Sequence, residues 1–174
     1  MENTKNLLNS THRFFFGLIL LIWAEVGVAH SAFISFYRLE HTPQELTLVV
    51  SLAQATVVTQ FNKKEGAPPF QHLSGEEQKQ KLVFYLQSHI HLYNVNSRRA
   101  NHRLDLKLKH VDIGQHETTV VFEIEKPPKM LEGMQVTIDA FANGANHHNI
   151  VHIIKMGQKK RLILSNKNQF QAVL

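Results

Sequence analysis

The chain contains no cysteine. That absence excludes disulfide staples, a thiol nucleophile and Cys-ligated metal, and it leaves no lipid-accepting residue behind the leader described below. There is no G-x-S-x-G elbow, no H-E-x-x-H pair and no glycine-rich phosphate loop, so the common signatures of serine hydrolases, zinc proteases and nucleotide enzymes are missing. Aspartate occurs only at Asp105, Asp112 and Asp139. Their strand-like surroundings read as solvated outward faces rather than as half of an acid–base pair. No repeat, low-complexity tract or linker divides the chain. Its main apolar run, Phe14–Trp23, falls well short of the roughly 20 residues that a membrane-spanning helix needs.

That run instead has the length and flanks of a secretory leader, with Lys5, His12 and Arg13 before it and Glu25 closing it. Gly27 and Ala29 suit the −3 and −1 positions of a signal peptidase, which predicts cleavage before His30. Cuts after Ser31 or Ala32, or an uncleaved signal anchor, are the alternatives. The expected organisation is a signal peptide over 1–29 and a single exported domain over 30–174. Removal of two basic residues (Lys5, Arg13) and two acidic ones (Glu2, Glu25) leaves the net charge at +5 − 2 + 2 = +5. The expected compartment is the periplasm, with secretion as the alternative.

Beyond the leader, period-two alternation dominates. Ile34 and Phe36 alternate with Ser35 and Tyr37 over 33–39, and Leu46, Leu48, Val50 and Leu52 share one face of 45–52, across a turn at His41-Thr42-Pro43. Ala53–Phe61 fits either a strand or a short helix, and the helix is preferred. Ser74 and Glu77 form a capping box that starts a helix ending near His89 or Ile90, with Leu82, Val83, Tyr85, Leu86 and Ile90 inward. A short strand over 92–95 follows. Leu104, Leu106 and Leu108 then predict a half-buried strand that pairs as a hairpin with Val120, Phe122 and Ile124. Further strands are expected at 134–140, 150–156, 161–164 and 169–173. The fold class is mainly β (α+β), an antiparallel β-sandwich-like domain with one or two helices.

Basic clusters at Arg98-Arg99…His102-Arg103 and Lys159-Lys160-Arg161 either attract anionic lipid headgroups and polyanions or form solvated turns between strands. The second reading is preferred. No nucleic-acid motif or aromatic interleaving accompanies them, so no nucleic-acid partner is expected.

Histidine is abundant, with 12 in the chain. After cleavage, the α-amine and imidazole of His30 would chelate Cu²⁺ or Zn²⁺, and a further imidazole would complete a nitrogen-rich site. Its donors are sought among His147, His148 and His152, or His89 and His91. The last two would share a face on a strand and diverge on a helix. His147 and His148 sit in a Gly/Asn-rich turn, whereas His152 reads as a core residue of an apolar strand. The opposing reading gives these histidines no common purpose. Asn143, Asn146 and Asn149 with Gly144 read as turn makers.

The segments Gln135–Phe141, Asn149–Ile153 and Lys159–Leu164, with a mature start His30-Ser31-Ala32-Phe33, resemble an uncharacterised family of exported bacterial proteins classed as a domain of unknown function. His147 departs from it, since the family usually has Gln two residues before the Asn. The resemblance spans 30–174 and implies fold and compartment, not chemistry. A mature start at histidine followed by strands is also similar to the extracytoplasmic portions of some bacterial metal-transport proteins. The expected function is therefore a non-enzymatic periplasmic binding or accessory module, not integral to the membrane after cleavage, whose partner is an envelope protein or membrane transporter. A copper- or zinc-binding envelope protein is the alternative, and a hydrolase acting on envelope material is weaker.

Overall fold

The computed structural model describes residues 34–63, 66–94, 102–142 and 146–174, all within one compact unit, Ala32–Leu174. The leader over 1–29, His30, Arg98-Arg99, Asn143 and Gly144 lie outside the described residues. Strand β1 (Ile34–His41) turns through Thr42, whose hydroxyl accepts from the Glu45 amide at 3.1 Å, into β2 (Leu46–Ala53). Helix α1 (Gln54–Phe61) follows without interruption, and its Val57 and Phe61 are buried. Phe61 stacks on Phe70, with ring centroids 4.9 Å apart, which pins the loop between α1 and helix α2 (Gly75–His89).

Helix α2 starts as its capping box dictates. The Ser74 side chain accepts from the Glu77 amide, and the Ser74 amide donates to Glu77 Oε2 at 2.9 Å, satisfying two otherwise orphaned donors. Hydrogen bonds from Ser74 also hold the Glu77 carboxyl below its usual range. Leu82 and Leu86 enter the core, Val83 and Tyr85 are half-buried, and the chain passes from His89 directly into β3 (Ile90–Asn94).

The remaining strands are β4 (His102–Leu104), β5 (Leu106–Ile113), β6 (Glu117–Ile124), β7 (Met134–Ile138), β8 (His148–Lys155), β9 (Gln158–Leu164) and β10 (Gln171–Val173). They form a six-stranded sheet in the order β5-β6-β2-β1-β8-β9 and a four-stranded sheet in the order β10-β7-β3-β4. Neighbouring strands are antiparallel except β1 and β8, which run parallel with Ile34 opposite His148. Neither sheet closes into a barrel. One hydrophobic core draws on both sheets and both helices. The mainly β, sandwich-like α+β architecture follows from this arrangement. Among the described residues, no helix is long and apolar enough to cross a membrane.

The structure corrects two sequence expectations, the strand through Leu104, Leu106 and Leu108 and the turn at Lys159-Lys160-Arg161, and adds the inward face of β1. Leu104, Leu106 and Leu108 do not share one strand: Leu104 belongs to β4, and the chain changes sheets at Asp105 to begin β5. A register shift between Leu108 and His110 bulges β5, and Leu108 stays 42% exposed instead of joining the core. Strand β1 buries Ser35, Tyr37 and Leu39 and turns Phe36 outward. Lys159, Lys160 and Arg161 lie within strand β9, not in a turn.

Candidate functional site

At one end of the molecule, β1 and β8 begin side by side while β7 and α2 end. Polar side chains collect there. The Asn149 Nδ2 group donates to the backbone carbonyls of Ile138 at 2.8 Å and Ala140 at 3.1 Å. Carbonyls only accept, so these bonds fix the amide and aim Oδ1 at His147 Nε2, 3.1 Å away. His147 Nε2 therefore carries a proton, which it shares between Asn149 and the Ser35 hydroxyl, also at 3.1 Å. His147 is 3% exposed, and burial, with help from the charges of His148 and Lys63, pulls its pKa below the ordinary histidine value.

This is not a nucleophile–base–orienter relay. Such a relay uses both imidazole nitrogens, one facing the nucleophile and the other the orienting group. Here Ser35 and Asn149 compete for the same nitrogen, and both are fully buried. The triplet is a structural knot between β1, β7 and β8. Asn149 is therefore a buried strand residue and not the turn maker its composition suggested.

A second group lies beside it. His89, at the end of α2, donates from Nδ1 to Asp139 Oδ1 at 2.8 Å. Its ring sits 4.3 Å from that of Tyr85, and Tyr85 Oη accepts from the Phe141 amide at 2.7 Å. Phe141 has φ 61°, a left-handed conformation unusual for an aromatic residue, held by that hydrogen bond and by ring contacts to Tyr85 and His147. Among the described residues, the buried Tyr37 Oη has no hydrogen-bond partner. Burial, and after it the neighbouring Tyr85, drives the Tyr37 pKa upward, against a smaller opposing influence of the Ser35 hydroxyl.

The sequence-derived histidines occupy distinct settings. His91 follows His89 across the helix–strand junction, so the two do not share one element. Burial and the nearby Arg103 lower the His91 pKa, and among the described residues its buried Nδ1 has no hydrogen-bond partner. His148 and His152 lie four positions apart on the outer face of β8, about 13 Å along a strand. His152 is exposed rather than in the core, facing Arg38 on β1 and Arg161 on β9. His148 is also exposed and donates from Nδ1 to the Asn146 carbonyl at 2.8 Å, which leaves Nε2 with its lone pair outward. Among the described residues, no group of three or more His, Asp or Glu side chains is placed to hold a metal ion. The pairing of His89 with Asp139 carried no local signal, because the partners are 50 residues apart.

At the far edge of the six-stranded sheet, β5 faces α2 across a groove of about 420 Å³ whose lining includes Val83, Leu108 and Val111 with Lys79, Lys109 and Glu76. Lys109 pairs with Glu45 at 2.9 Å. No protein-family model and no curated protein matches the chain.

Proposed function

We propose that the chain is an exported, non-enzymatic accessory module that takes an extended, acidic–apolar segment of an envelope protein onto the free edge of β5. The observation that carries this reading is Leu108. An apolar side chain on an eight-residue edge strand remains exposed over a groove with an apolar floor and a polar rim that carries Lys79, Lys109 and Glu76. Strand addition supplies backbone hydrogen bonds along such an edge, and the groove supplies selectivity. The bulge beside Leu108 and the charges of Lys107 and Lys109 discourage two copies from pairing edge to edge. Lys107 on the edge and Lys79 across the groove favour an acidic partner strand, Lys109 being already paired with Glu45.

Screening extended peptides, followed by hydrogen exchange of the bound complex, tests this. Acidic–apolar alternating peptides should protect amides of β5, and Leu108→Asp should abolish binding while leaving the fold intact. Protection confined to another strand, or unchanged binding by Leu108→Asp, refutes it.

His148 favours a second reading, copper or zinc binding with His30. Its Nδ1–H is already engaged, so the free Nε2 is the atom a metal would take, as in sites whose second nitrogen is oriented by a carbonyl. Ile34 is the register partner of His148, and His30 precedes Ile34 by four residues, a span of at most about 14 Å. Copper titration of the exported form, with its amino terminus established by mass spectrometry, should show at least a tenfold loss of affinity in both His30→Ala and His148→Ala. Equal binding by either variant rules this reading out.

A further inference from the structure

The β8–β9 hairpin ends in a two-residue turn, Met156-Gly157, closed by the Lys155–Gln158 pair. Both turn residues have positive φ, 48° at Met156 and 81° at Gly157. Turns of this kind favour Asn-Gly, because Asn tolerates the left-handed region far better than a long unbranched side chain does. Met156 is nevertheless there, 83% exposed at the tip. Local backbone preference and solvation both argue against it.

Cations surround that tip. Lys159 and Arg161 alternate with Lys160 along β9, which places charge on both faces of the hairpin. Lys155 is matched by Glu132 at 2.6 Å, and it holds the Glu132 carboxyl below its usual range. Among the described residues, Lys159, Lys160 and Arg161 have no ion-pair partner, so three positive charges remain unmatched. Beneath them is a cavity of about 190 Å³ with an apolar floor of Leu131, Ile153 and Leu174 and a rim that includes Lys155, Lys159 and Lys160.

We infer that this hairpin docks on an anionic lipid bilayer. Met156 enters the interface, and Lys159, Lys160 and Arg161 engage headgroup phosphates. An exposed apolar tip with unmatched cations on both faces is complementary to a surface that is apolar inside and negative at its boundary. An acidic protein would answer the cations but not the exposed methionine. The inference goes beyond the β5-edge reading and does not depend on it, since β5 and β9 are opposite edges of the sheet.

Co-sedimentation with phosphatidylglycerol and phosphatidylcholine vesicles tests the assignment on the chain as expressed. A retained leader would partition into both, so the anionic-to-neutral ratio is the readout. The ratio should exceed ten at low salt and fall as salt rises. Each cation near a surface contributes about fivefold, so Lys159→Gln/Lys160→Gln should lower anionic binding about 25-fold. Met156→Asn should weaken binding about fivefold through lost apolar insertion while raising the melting temperature, because Asn suits the turn. A loss of function with a gain in stability separates docking from misfolding. A ratio near one, or unchanged binding in the double variant, overturns the inference. So does displacement by millimolar inorganic phosphate at constant ionic strength, which would indicate a small-anion site.

Discussion

Replacing Asn149 with alanine tests whether the knot at the start of β8 holds the two sheets together. The Asn149 amide makes two donor bonds, to the Ile138 and Ala140 carbonyls, and accepts one from His147, all in a fully buried setting. A buried hydrogen bond contributes about 1 kcal/mol net, and acceptors left unpaired add a desolvation cost. Alanine therefore costs about 3 kcal/mol, a large share of the 5–15 kcal/mol typical of a domain. For a domain of this size that lowers the melting temperature by about 10 °C. Urea unfolding followed by circular dichroism should show a lower midpoint with an unchanged slope. A double-mutant cycle with His147→Ala should return a coupling of about 1 kcal/mol or more, because the two side chains share a bond. A loss below about 1 kcal/mol for Asn149→Ala, or a coupling near zero, would refute the hydrogen-bond reasoning.

His147 makes stability depend on pH. Its folded pKa lies below its unfolded value of about 6.5, so the linked stability is fully present above pH 6.5. As pH falls below that value the unfolded chain takes up a proton that the folded chain refuses, and stability drops by up to about 1.4 kcal/mol per pH unit until the folded pKa is reached. Denaturation at pH 7.5, 6.5 and 5.5 should show this slope, and His147→Gln should reduce it, with His91 supplying the remainder in the same direction. Tyr85→Phe leaves the Phe141 amide without its acceptor and should cost about 1–3 kcal/mol by chemical denaturation, with no loss of packed ring. Ser74→Ala removes the side chain that caps α2 and should cost about 1 kcal/mol in the same assay.

What could be read from sequence was what depends on near neighbours. The α2 start was legible because Ser74 and Glu77 are three residues apart, and Leu46–Leu52 because period two is a local property. Strand β1 was legible as a strand, but its alternation does not say which face is inward, because Ser35 is buried against a partner 112 residues away and its hydroxyl is satisfied inside rather than in water. Leu104–Leu108 misled for a different reason: alternation of side chains survives a change of sheet, and nothing in the pattern marks Asp105 as the corner. In the candidate site, His147, His148 and Asn149 stood out by composition alone, and their roles emerged only with the register of β8 against β1. The apolar context of His152 hid the fact that cross-strand neighbours Arg38 and Arg161 make that face solvent-facing.

The two ends of the six-stranded sheet divide the remaining surface. The end where β1 and β8 begin carries the Asn149 knot and the outward nitrogen of His148, and the opposite end carries the Met156 hairpin. Eight residues of β8 separate the two ends, about 25 Å along a strand, so one ligand atom cannot engage both. Lipid docking at the tip would therefore leave His148 accessible, and the β5 edge would remain free on the far side of the sheet. Copper affinity measured with and without phosphatidylglycerol vesicles should agree within about twofold, since a coupling of sites requires a shared two-state element. A strong dependence of one on the other would mean that the sheet transmits a rearrangement along β8, and would locate the coupling in the strand that both ends share.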